Sequence, residues 1–233
     1  MCILALAWQA HPHWALVVAA NRDEFHAREA VPLDPWSDGM TIAGRDLRGG
    51  GTWLGLSSHS RFAAVTNVRG FGPPEADRPS RGAIVGHLLE AEAAPDATVA
   101  ALGAFNPVNA VVVNRSGAWL MTNRPSIAAA PLLPGVHDLS NDPVGCETGK
   151  TFRARAAVAD WIATPAPEIG TLFEALRAWV PSDPDALFVK DSVYGTRCST
   201  VVAIDQAGRG TIVERSFDAH GEDIGRRSFN ILW

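Results

Sequence analysis

Cys2 directly follows the initiator methionine, and residues 3 to 8 read as a strand. Methionine is usually removed when a small residue follows it, so the mature chain is expected to begin with a thiol. That thiol shares its residue with a free α-amine, whose pKa lies near ~8, close enough to neutrality to act as a base. The thiolate is the reactive form of cysteine, and a nearby base generates it. One residue then supplies both nucleophile and base. If Met1 stays, the amine sits one residue too early and Cys2 is an ordinary thiol. By position alone, a small buried cysteine opening a strand is the commoner role.

Further candidates cluster at strand ends. Asn21-Arg22-Asp23-Glu24 follows a β-rich run, Trp14–Ala20, that pairs with the Cys2 strand through Gln-Ala-His-Pro-His. A tight hairpin folds a separation of about twenty residues back to contact distance. A guanidinium there lowers a thiol pKa, and a carboxylate there holds an amine. Taken alone, the tetrapeptide reads as a polar turn. Thr66-Asn67-Val68-Arg69 and Leu139-Ser140-Asn141-Asp142-Pro143 end two further strands, and Gly195-Thr196-Arg197-Cys198-Ser199 starts a third. Asparagine amides and backbone N–H groups stabilise oxyanions, and arginine orients carboxylates.

Several elements must position these residues. Thr41–Ala43 reads as a short strand. Thr52–Leu56 with Arg61–Val68 forms a second hairpin after the Gly49-Gly50-Gly51 turn, and Asn109–Asn114 with Trp119–Thr122 a third. Val31–Gly39 and Gly70–Pro79 read as loops. Helices are expected from Ser80 to about Glu92, with Ile84, Leu88 and Leu89 as the apolar stripe, and over Pro95–Gly103. Two more are expected over Lys150–Ala163, with Phe152, Ala156, Ala159 and Ile162 on one face, and over Ile169–Trp179. Val136–Ser140, Thr200–Asp205, Gly210–Phe217 and Ser228–Leu232 complete the strands. Segregated blocks of strands and helices point to α+β rather than alternating βαβ. With no clear linker, residues 1–233 read as a single domain.

Composition bounds the function. Apolar residues make up 47% of 233 residues, ample for a core, and the net charge of −5 argues against a nucleic-acid partner. Lys150 and Lys190 are the only two lysines. Three cysteines without framework or metal-site spacing suggest free thiols in a reducing compartment. Apolar runs fall short of the ~20 residues of a membrane span, and the N-terminus lacks a basic region before its apolar stretch. A soluble, cytoplasmic protein is expected.

Met1-Cys2, Ala20-Asn21-Arg22-Asp23-Glu24-Phe25, Gly50-Gly51-Thr52-Trp53-Leu54-Gly55, Thr66-Asn67, Leu139-Ser140-Asn141 and Tyr194-Gly195-Thr196-Arg197 occur in this order across most of the chain. Together they resemble the NRDE family, also called the transport-and-Golgi-organisation protein 2 family. The resemblance implies an α+β four-layer αββα sandwich related to N-terminal-nucleophile hydrolases, whose nearest members of known chemistry are cysteine amidases acting on bile-salt conjugates and penicillin V. It implies Cys2 as nucleophile, the Asn67 backbone N–H and the Asn141 side chain as oxyanion hole, and Arg197 beside the nucleophile. The amidases space their early pair Arg-x-x-Asp, whereas Arg22 and Asp23 are adjacent. Asp23 or Glu24 is then the amine's holder, with Asn21 in the amidase arginine's place. Trp36 and Trp53, near loops, are candidates to line a cleft.

The expected substrate is a small acyl compound, cleaved at an amide or thioester, with no cofactor required. The alternative implied by the family is a non-catalytic carrier of haem or of acyl-lipid or acyl-CoA. The chain has no Cys-Pro or Cys-x-x-Cys-His motif, and of its seven histidines only His26 falls near the candidate site. A hydrophobic cleft can hold haem without such a motif, so haem remains a candidate ligand.

Overall fold

A computed structural model describes residues 2–90 and 96–233, apart from the side chains at 96 and 97. Met1, the expected end of the first helix at Glu92, and the expected helix start at Pro95 lie outside these residues. The chain divides into two compact units, Met1–Ala27, Pro134–Asp138 and Glu147–Trp233 forming the first, and Arg28–Leu133 with Leu139–Cys146 the second.

The first unit carries a six-stranded sheet. Its strands are β1 (Ile3–Trp8), β2 (Trp14–Phe25), β10 (Gly135–Ser140, whose last two residues belong to the second unit), β11 (Tyr194–Asp205), β12 (Arg209–Phe217) and β13 (Asp223–Leu232), in the order β10-β1-β2-β11-β12-β13. Helices α3 (Gly149–Ala163) and α4 (Ile169–Leu176) pack on one face. That face is read from alternate residues, as strand geometry requires: Ile3, Ala5 and Ala7 of β1, Val17 and Ala19 of β2, and Val201 and Ala203 of β11 all join one buried cluster. Helix α3 starts sharply because Thr148 and Thr151 form a reciprocal capping box. It stops before Pro165, which disfavours helical geometry in the residue preceding it.

The second unit carries a seven-stranded antiparallel sheet, consecutive in order: β3 (Ala30–Pro35), β4 (Thr41–Asp46), β5 (Leu54–Ser57), β6 (Arg61–Asn67), β7 (Val108–Asn114), β8 (Gly117–Thr122) and β9 (Ala128–Pro131). Helix α1 (Gly82–Glu90) lays Ile84, Val85, Leu88 and Leu89 onto Ala63, Ala110, Val112 and Met121. A short helix, α2 (Asp96–Ala101), leads into one 3₁₀ turn. No helix among the described residues is long and apolar enough to cross a membrane.

Several expectations need correction. The stretch from Val31 to Gly39 is not all loop, because Ala30–Pro35 forms β3. Its prolines are tolerated there because β3 is an edge strand with only one hydrogen-bonding neighbour, and its register breaks between Val31 and Asp34. Asn21 to Glu24 are not a turn but lie within β2, paired residue by residue with β11. Helix α3 buries Ala154, Val158, Trp161 and Ile162, a four-residue spacing with a neighbour, and leaves Phe152 exposed. Helix α4 ends at Leu176 rather than Trp179, with Arg177 as its C-cap and the Arg177 N–H donating to the Phe173 and Ala175 carbonyls. Strand β9, alanine-rich and without alternation, was not expected.

Candidate functional site

Register brings the first group of candidates together. Ile3 pairs with Asn21 across β1 and β2, so Cys2, one step outside β1, reaches the Arg22–Asp23 level. Its Sγ donates to the Asp23 carbonyl at 3.4 Å. The hydroxyl of Tyr194, the chain's single tyrosine, donates to the same carbonyl at 2.9 Å. Burial, and after it the Asp23 carboxylate, push the Cys2 thiol above its ordinary range. Burial likewise pushes the Tyr194 phenol far up, with the charges of Cys2 and Asp23 adding to it. Both hydroxyl and thiol are therefore neutral donors near pH 7.

The β2 motif divides between two faces. Asn21 and Asp23 follow Val17 and Ala19 onto the helix-bearing face. Asn21, 2% exposed, donates its amide to the carbonyls of Leu176 at 2.8 Å and Leu187 at 2.9 Å, and accepts from Ser199 Oγ at 2.5 Å. Its amide is thus committed to anchoring the end of α4. The Asp23 carboxylate is wholly buried. One oxygen accepts from Thr196 Oγ1 at 2.7 Å, and the other lies 3.2 Å from Lys150 Nζ, itself buried at the start of α3.

Arg22 points the other way, opposite Cys198 in the register. On that same face Thr200 donates to the buried Glu214 carboxylate. Burial, then the proximity of Glu214, pushes the Cys198 thiol well up. Glu24, half-buried, accepts from the Phe25 N–H at 2.9 Å. Arg197 sits where the β2–β11 register slips between Thr196 and Cys198. Such a bulge re-aims a side chain, and the Arg197 guanidinium donates to the carbonyls of Phe25 and His26. Burial, then the like charge of Arg22, lowers its pKa. His26 Nε2 lies 2.9 Å from the Asp191 carbonyl, while Nδ1 is buried with no hydrogen-bond partner.

Asn67 and Asn141 meet within the second unit. Asn67 ends β6, and the Asn141 amide donates to its carbonyl at 2.8 Å. The segment carrying Asn141 is tied down on both sides. Asn109 donates to the carbonyls of Ser140 and Asp142, Thr66 donates to Ser140, and Arg69 pairs with Asp142 at 2.6 Å. Trp53 also lies in the second unit, its ring against Gly44, where a Cβ would come within 2.3 Å. Trp36 lies under the Arg45 guanidinium, 4.4 Å from the ring centroid.

Sequence reasoning assigned no role to Lys150, Tyr194 or Thr196, all in direct contact with Asp23. Lys150 carried one usable signal, being one of two lysines in a chain whose positive charge is otherwise arginine. No group of three or more His, Cys, Asp or Glu side chains among the described residues could hold a metal ion.

A family model described as Transport and Golgi organisation 2 matches residues 1–219. The Transport and Golgi organization protein 2 homolog of Bos taurus is 28% identical, with 93% of each chain covered. Among solved structures, penicillin V acylase from Agrobacterium tumefaciens matches at TM-score 0.55 and 14% identity, covering 99% of this chain and 86% of the acylase. The C2A mutant of conjugated bile acid hydrolase from Clostridium perfringens matches at TM-score 0.58 and 8% identity, covering 99% and 92%. At these identities the structural likeness speaks for fold alone. The expected α+β class, similar to N-terminal-nucleophile hydrolases, is borne out.

Proposed function

The chain belongs to the Transport and Golgi organisation 2 family, and we propose that it is an N-terminal cysteine hydrolase cleaving an amide or thioester of a small acyl compound. The observation that carries this reading is the seat of Cys2: a hairpin register, on an acylase-like fold, holds its thiol on the Asp23 carbonyl beside Arg22. A thiol held above its ordinary range is not a standing thiolate, so it needs a base at the moment of attack. Once Met1 is removed, the α-amine of Cys2 is that base.

In this scheme Sγ attacks the carbonyl carbon while the α-amine takes the thiol proton. The tetrahedral intermediate collapses with cleavage of the C–N or C–S bond, and the proton passes to the leaving amine or thiol. Water then attacks the acyl-enzyme thioester and releases the acid, returning the thiol. Asp23, Thr196 and Tyr194 hold the geometry around Sγ, and in this reading Arg197, whose guanidinium donates to the Phe25 and His26 carbonyls, orients the substrate.

The test begins with the intact mass of tag-free protein, which shows whether Met1 is absent. Activated acyl esters are then added. The expected result is a burst of leaving group, with the acyl mass on the peptide beginning at Cys2, and loss of both in Cys2→Ala. A chain that lacks Met1 but forms no acyl-enzyme, and gives a Soret shift on haem titration, is a carrier instead.

A further inference from the structure

Lys150 has no part in the chemistry above, yet its burial demands a reason. Its side chain is 4% exposed and that of Asp23 is wholly buried, with 3.2 Å between Nζ and Oδ2. Burying such a pair rarely adds stability, since apolar side chains of similar volume do as well or better. The pair is also built with care. Lys150 occupies the first turn of α3, where its backbone N–H donates to Asp185 Oδ1 at 3.1 Å and the Thr148–Thr151 box fixes the helix start. A Cβ on Gly149 would come within 2.2 Å of Asp185, so the chain there is held close to that carboxylate. The ammonium is delivered by a rigid helix start to one carboxylate oxygen, and Thr196 takes the other.

We propose that Lys150 is a positioning residue for the Cys2 nucleophile: its ammonium neutralises the Asp23 carboxylate, whose own backbone carbonyl holds the Cys2 thiol. This rests on the reading of Cys2 as nucleophile. An uncompensated carboxylate beside Sγ opposes formation of the thiolate that attack must develop, and Asp23 has that effect on Cys2. A buried cation on one carboxylate oxygen offsets part of that charge while leaving the carbonyl and its two donors, Cys2 and Tyr194, in place. The other charged or titratable side chains that act on Cys2 or feel its charge are Arg22 on β2 and Tyr194 and Cys198 on β11.

The experiment is a charge cycle read by alkylation. Full-length wild type, Lys150→Met, Asp23→Asn and the double variant are treated with iodoacetamide from pH 6 to pH 10. Modification of the Cys2 peptide is followed by mass spectrometry, and far-UV circular dichroism confirms folding. Lys150→Met is expected to slow Cys2 alkylation at neutral pH about tenfold, the low end of what a neighbouring charge does to an ionisable group, and to move its pH profile upward. Asp23→Asn, which keeps the cation, is expected to speed it. The double variant, neutral for neutral, returns close to wild type and remains informative if Lys150→Met does not fold. Lys150→Arg restores the profile. Single variants that move the rate in the same direction or not at all, or a double variant that keeps the full Lys150→Met loss, overturn the proposal. Alkylation needs no turnover, so absence of an acyl-enzyme with the cycle intact would sink the hydrolase reading alone.

Discussion

Asn21→Ala separates an anchoring role from a role in the reaction. The Asn21 side chain makes three hydrogen bonds, to the Leu176 and Leu187 carbonyls and from Ser199, at a position 2% exposed. Truncation leaves two buried carbonyls and a hydroxyl without these partners. At about 1 kcal/mol net per bond, and more where a buried group stays unsatisfied, the loss is roughly 3 kcal/mol. For a chain of this size, about 2–4 °C per kcal/mol gives a fall in Tm of roughly 6–12 °C. Ser199→Ala removes one of the three bonds and should cost about 1 kcal/mol. Asn21→Asp places a carboxylate against two carbonyls and should be the worst of the set. The assay is thermal unfolding by circular dichroism, with Cys2 alkylation measured on the folded protein at 20 °C. The expected ranking is Asp below Ala below the serine variant, with alkylation unchanged in Asn21→Ala. A Tm within about 2 °C of wild type for Asn21→Ala, or abolished Cys2 reactivity in a folded variant, would refute this account of the residue.

Three further outcomes follow from the packing and charge described above. Cys2 and Cys198 both have thiols raised in the folded state, so unfolding releases protons. Their contribution to stability is therefore fully present below ~8.5 and is lost as pH rises through the folded values; urea midpoints from pH 7 to pH 10 should fall, and less steeply in Cys198→Ala. Gly51→Ala would bring a Cβ within 2.4 Å of the Gly82 backbone and should lower Tm, whereas Gly86→Ala, on α1 with open space around it, should raise stability by about 0.5–1 kcal/mol. Asn109→Ala removes the donor to the Ser140 and Asp142 carbonyls and should speed amide hydrogen exchange over residues 139–146 while leaving α3 protected.

What was legible in the sequence was local. Two continuous apolar, β-rich runs on either side of a polar turn announced the β1–β2 hairpin, and from it the approach of Cys2 to Asp23. The run before Pro165 announced α3, and Gly49-Gly50-Gly51 a turn, where Gly50 does adopt φ +76°. What stayed hidden was settled by distant partners. The Lys150–Asp23 pair joins residues 127 apart, and Tyr194 reaches Asp23 across 171; no spacing rule links them. Val31 to Gly39 looked like a loop because its prolines are forbidden in central strands, and edge position cannot be seen in the chain itself. The true face of α3 was missed because alanine fits either side, so only packing distinguishes Ala154 from Ala156.

The division of the β2 motif between two faces also sets which changes in length the strand can tolerate. Strand parity acts as a reading frame: inserting or deleting one residue between Val17 and Asn21 would turn the downstream motif over. Asp23 would leave Lys150 and Thr196, while Arg22 would be driven toward the helices. Point substitutions leave the frame intact, and changes at Asp23 and Lys150, which are in direct contact, should not combine additively. Length, more than composition, is therefore the property of this strand that variation can least afford to alter.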